Sequence, residues 1–185
     1  EILKRLTRES GFPDDSQNYL HPSRFGGLWV GLDNEGVAYL DNDLVRVAYN
    51  SDNGLSGYIN DLDIVGGHIY VSTGAGVFRS SVPTEHFASE NFFYSKGAKN
   101  EDFEAVTNLP IVWALQEWND KIVLASESGV YVGSALAPEI DFEPCWYEGK
   151  ENGALPLQAF SLLLEEGQKE GFVGLQNGLA RIVLV

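Results

Sequence analysis

One short motif returns four times along the 185 residues: an apolar strand, a tight turn, then glycine followed by an apolar residue. The copies run Leu28-Trp29-Val30-Gly31-Leu32 to Gly36-Val37, and Ile69-Tyr70-Val71-Ser72-Thr73 to Gly76-Val77. They continue with Ile122-Val123-Leu124-Ala125-Ser126 to Gly129-Val130, and Gly171-Phe172-Val173-Gly174-Leu175 to Gly178-Leu179. The turn glycines lie 40, 53 and 49 positions apart, the spacing of propeller blades. Strands this short, closed by glycines free to take positive φ, leave no room for a helical repeat.

Each copy sits in the same frame. An apolar strand precedes it, as in Ile59-Asn60-Asp61-Leu62-Asp63-Ile64 before Gly66-Gly67, or Val112-Trp113-Ala114-Leu115 before Asn119-Asp120. A third strand follows the glycine, and a more polar fourth strand such as Leu44 to Tyr49 comes after it. Four antiparallel strands per unit, the last most exposed, is the order of a blade from channel to rim. The expected fold is therefore an all-β propeller, with blades over about 17–50, 58–106, 111–148 and 157–185. Blade 4 lacks a fourth strand of its own, and residues 1–8 read as an outer strand that could supply it. Either that strand closes the ring, or the four blades are an arc of a larger one whose end faces need covering. The start without Met and the apolar run Ile182 to Val185 read as the ends of a segment of something longer.

Composition narrows the function. With 12 basic and 27 acidic residues the formal charge is −15, which repels nucleic-acid backbones and anionic lipid headgroups. No run of about 18 apolar residues is present to span a bilayer as a helix. A lone cysteine, Cys145, leaves no internal disulfide to form.

Residues Glu9 to Ser16, with Gly26-Gly27-Leu28-Trp29-Val30-Gly31-Leu32-Asp33-Asn34-Glu35-Gly36-Val37, resemble the two-component regulator propeller repeat. Phe12 stands where that repeat carries Leu, Leu32 where it carries Thr, and the turn before Gly36 is one residue longer. The motif extends through Ile69 to Thr73 and is degraded in blades 3 and 4. The resemblance implies a ligand-sensing module of a bacterial sensor protein, periplasmic or extracellular, with signalling domains elsewhere. It transfers no catalytic set, because the repeat residues are structural.

Candidate contact residues follow from position. The starts of the inner strands gather at one channel mouth, where Asn18, Asn60, Trp113 and Gln158 could meet a small-molecule or carbohydrate ligand or cap strand ends. Tests for other chemistry come out negative. The histidines His21, His68 and His86 lack zinc spacing, and the Asp/Asn-rich turns lack the acidic offset of a calcium loop. No nucleophile elbow or phosphate loop is present. No cofactor or metal is implied. An enzyme remains an alternative if His21 and Asp61 converge at the channel. A protein-interaction scaffold is another, with Phe87, Phe92, Phe93 and Tyr94 of the long loop at 82–110 as its surface.

Overall fold

A computed structural model describes residues 4–23, 26–41, 44–81, 83, 102–135, 137, 139–145 and 158–183. The loop aromatics at 87–94, His86 and Trp146 lie outside them.

Among the described residues fifteen strands form four antiparallel sheets stacked in chain order as propeller blades. Blade 1 is β1 (Gln17–Pro22), β2 (Leu28–Leu32), β3 (Val37–Asp41) and β4 (Leu44–Tyr49). Blade 2 is β5 (Ile59–Val65), β6 (His68–Thr73), β7 (Gly76–Ser80) and β8 (Phe103–Thr107). Blade 3 is β9 (Val112–Trp118), β10 (Lys121–Ser126), β11 (Gly129–Ser134) and the two-residue β12 (Glu143–Pro144). Blade 4 has three strands among the described residues: β13 (Ala159–Leu163), β14 (Glu170–Leu175) and β15 (Gly178–Val183).

The turn glycines do what the motif requires. Gly36, Gly76, Gly129 and Gly178 all have positive φ. A side chain at Gly36 would collide with the carbonyl of Tyr49, and one at Gly76 with the carbonyl of Thr107, each at the end of that blade's outer strand. Gly178 meets nothing, since no outer strand passes it among the described residues.

Strand alternation gives every blade two apolar faces, and stacking buries them. Trp29, Val37 and Tyr39 turn one way from blade 1 and pack on Ile69, Val71 and Phe78 of blade 2. Tyr70 and Val77 turn the same way from blade 2 onto Ile122 and Leu124 of blade 3. Val123 and Val130 turn from blade 3 onto Val173 and Ala159 of blade 4. The opposite face of blade 1, Val30, Leu32 and Ala38, is covered by Phe12 and Leu6.

That cover corrects one expectation. The part of 1–8 that the structure describes is not an outer strand. Residues 4–7 carry no strand, Arg8–Ser10 form a 3-10 turn, and Leu6 packs on blade 1. The physical reason is local. Thr7 and Ser10 cap each other's backbone, and Gly11 at φ 90° turns the chain so that Phe12 meets Val30. Asp14 fixes the segment by accepting from the Asn34 and Ser16 amides.

Candidate functional site

The inner strands β1, β5, β9 and β13 are edge strands, and an edge strand carries unpaired N–H and C=O groups. This chain satisfies many of them with side chains from the preceding blade. Three positions recur along the inner edges of the blades.

The first position is a β-bulge. The ladder between inner strand and neighbour slips by one residue at Asn18, Asn60, Trp113 and Phe160, once in each blade. A bulge leaves its residue unpaired and re-aims its side chain. The Asn18 amide donates to the Ile59 carbonyl at 2.8 Å, and that of Asn60 to the Val112 carbonyl at 2.8 Å. Trp113 instead tilts against Phe160, with ring centroids 5.8 Å apart, and its buried indole N–H has no acceptor among the described residues.

Of the four residues expected to line this mouth, Asn18, Asn60 and Trp113 therefore share one structural position. Gln158 does not. It lies before β13 and donates to Glu127 at 3.2 Å, while Phe160 fills the bulge. Asn18 and Asn60 spend their amides on neighbouring backbone, so they tie blades together.

The second position holds Tyr19 and Asp61. The Tyr19 hydroxyl lies beside Asp61, whose carboxylate accepts from the Leu62 amide at 2.7 Å and the Leu115 amide at 2.9 Å. Burial pushes the Asp61 carboxyl up to about 6 despite these donors, and burial beside the Asp61 charge raises Tyr19 to about 12. With its oxygens engaged this way, Asp61 is a structural acid.

The third position holds His21, Asp63 and Gln116. Asp63 accepts from the Glu117 amide at 3.0 Å, and Gln116 both donates to and accepts from the backbone of Leu164. His21 Nδ1 lies 3.9 Å from Asp63, so the histidine of the enzyme alternative faces Asp63, with Asp61 held by backbone.

Beyond this third position the blades part. A cleft of about 580 Å³ opens among His21 and Pro22 of blade 1, Ile64, Gly66 and Pro83 of blade 2, and Glu117 of blade 3. The Glu117 carboxyl is raised by burial, and further by the charges of Asp63, Glu166 and Asp120. A carboxylate, an imidazole, an apolar wall and glycine backbone thus converge at the ends of the inner strands, opposite the strand starts where Asn18 and Asn60 sit. Sequence reasoning singled out His21 and missed Asp63 and Glu117. Their convergence depends on contacts between residues about one repeat length apart in sequence, which no local pattern displays.

Blades stacked through side chains that cap one another's inner edges, with a polar cleft at one end, define a β-propeller module. No family model and no curated protein sequence matches the chain. Solved structures do. The extracellular domain of BT3049, assigned to a hybrid two-component system of B. thetaiotaomicron, superimposes on 98% of this chain at TM-score 0.69 with 16% identity. That of BT4673, from the same organism and assigned to the same class of system, covers 92% at TM-score 0.61 with 17% identity. The computationally designed Ika4 protein covers 92% at TM-score 0.61 with 10% identity. At these identities the likeness establishes the fold. The chain spans about a quarter of the length of the BT3049 domain and 93% of the designed protein. Among the described residues no helix is long and apolar enough to cross a membrane.

Proposed function

We propose that this chain is a non-catalytic ligand-sensing propeller module, working outside the cytoplasmic membrane as part of a signalling protein. The observation that carries the reading is the cleft bounded by His21 and Glu117, set on edges that the neighbouring blades hold rigid. The resemblance of residues 9–80 to the regulator propeller repeat supports it, as does the likeness to two-component extracellular domains.

The chemistry of the cleft selects among ligands. Glu117 offers acceptors, His21 offers either role, and Pro22, Ile64 and Pro83 offer an apolar wall, with Asp63 behind His21 at 3.9 Å. Anions are disfavoured by the carboxylates and by the charge of −15. A neutral or cationic small molecule rich in hydroxyl or amine donors fits, and a carbohydrate meets both demands.

The test is thermal unfolding of the chain against a panel of oligosaccharides, small metabolites and short peptides, repeated with His21→Ala and Glu117→Gln. A binder at about a hundred times its Kd adds about 2.7 kcal/mol of stability, a shift of several degrees. The expected result is such a shift in the parent chain that both variants lose while keeping their own unfolding transitions. A panel without a shift, or a shift that survives in both variants, overturns the reading.

A further inference from the structure

We infer that the far face of blade 4 is a blade-docking surface, taking a further four-stranded antiparallel β-blade packed as each blade here packs on the one before.

The inference rests on equivalent positions. The strand registers align Trp29, Tyr70, Val123 and Phe172, each pointing from its blade toward the next. The first three are 1–2% exposed because a following blade covers them; Phe172 is 41% exposed. The registers also align Val37, Val77, Val130 and Leu179. The first three are at most 2% exposed, and Leu179 is 71% exposed. Phe160, Leu163 and Val183 complete an apolar surface with Phe172 and Leu179. One ion pair, Arg181 to Glu170, crosses it. The face therefore continues the series of three interfaces already present, with apolar residues again at the registers of Trp29 and Val37.

The same interfaces select the occupant. Trp29 and Tyr70 are large and meet the smaller Ile69, Val71, Ile122 and Leu124 of the following blade. Two copies of this chain joined face to face would set large side chains, Phe160 and Phe172, on both sides of the interface, unlike the large-on-small packing of the earlier interfaces. Two copies joined head to tail would need the face of Val30 and Ala38, which Leu6 and Phe12 already cover. A blade presenting its β-branched and leucine face meets neither obstacle. The polar anchors of the earlier interfaces are replaced in β13 by Phe160 and Leu163, so the inner edge joins by apolar contact, as Trp113 already joins Phe160.

Blade 3 is a suitable probe, because its own face packs on Tyr70 and Val77, the counterparts of Phe172 and Leu179. The chain is extended after residue 185 through a Gly/Ser linker by a repeat of residues 111–145. A second extension repeats residues 58–107, so that one graft failing to fold does not decide the matter. Amide exchange over 159–183 is compared with that of the unextended chain. The expected result is exchange about tenfold slower or more in at least one extension, lost again when Leu179→Lys is introduced into it. Unchanged exchange in both extensions overturns the inference. So does an unextended chain that light scattering shows to be a dimer, with 159–183 already protected and Leu179→Lys removing both properties, since the surface would then belong to a second copy.

Discussion

At the scale of the residue, the buried acid Asp61 shows how this fold uses charge. Its carboxylate is nearly enclosed and anchors the backbone of a strand 54 residues away. Burial holds its carboxyl at about 6, above the ordinary 3.8. A carboxyl whose folded value is raised binds a proton more readily folded than unfolded between those two values. Its contribution to stability is fully present below about pH 4 and is lost as pH rises toward 6. Asp61→Asn should flatten this part of the profile: between pH 4 and 6, denaturant midpoints should fall with pH less steeply in the variant than in the parent. Equal slopes would mean that Asp61 titrates normally. Cys145 gives a second prediction. It lies against the interface of blades 3 and 4, and burial raises its thiol to about 11. Alkylation of the folded chain at pH 8 should run about a hundredfold slower than that of an exposed thiol near 9. Unfolding in denaturant should restore the ordinary rate.

At the scale of the element, the strands were legible and the contacts between them only partly so. Alternation of apolar residues in Trp29-Val30 or Tyr70-Val71 marks a strand with two buried faces, and the following glycine marks its turn. The turn glycines also allow a graded test. Gly76→Ala would drive a methyl into the Thr107 carbonyl and impose an unfavourable φ, costing on the order of 1–3 kcal/mol in chemical denaturation. Gly178→Ala carries only the backbone strain, because nothing stands near it, and should cost less. A larger loss at Gly178 would show that a strand outside the described residues lies against it. The candidate mouth was read less well. Asn18, Asn60 and Trp113 stand out in the sequence as a polar or aromatic residue following the first strand residue, and all three fall on the bulge. Gln158 lies two residues before the bulge, which falls at Phe160. At the N-terminus the described residues 4–8 depart from the expected strand. Ile2, Leu3 and Leu6 suggest a strand, whereas the capping pair Thr7 and Ser10 ends any extended run at Arg8.

At the scale of the whole molecule, three interfaces of one design hold four sheets in series, and each combines an apolar layer with side chains that cap the next inner strand. Each such hydrogen bond contributes about 1 kcal/mol net, so their main effect is to fix the angle and register between blades. A scaffold fixed in this way can keep His21, Asp63 and Glu117 at constant separation without a ligand present. The sequence showed the scaffold through its repeat, but the cleft is made by residues from three blades and carries no motif. The most direct test of the account is a titration of isotope-labelled chain, followed by amide chemical shifts, with the ligand that gives the largest thermal shift. The account predicts perturbations clustered on residues 19–22, 63–67 and 115–118. Perturbations centred on Asn18, Asn60 and Trp113, or on the exposed face of β14 and β15, would contradict it.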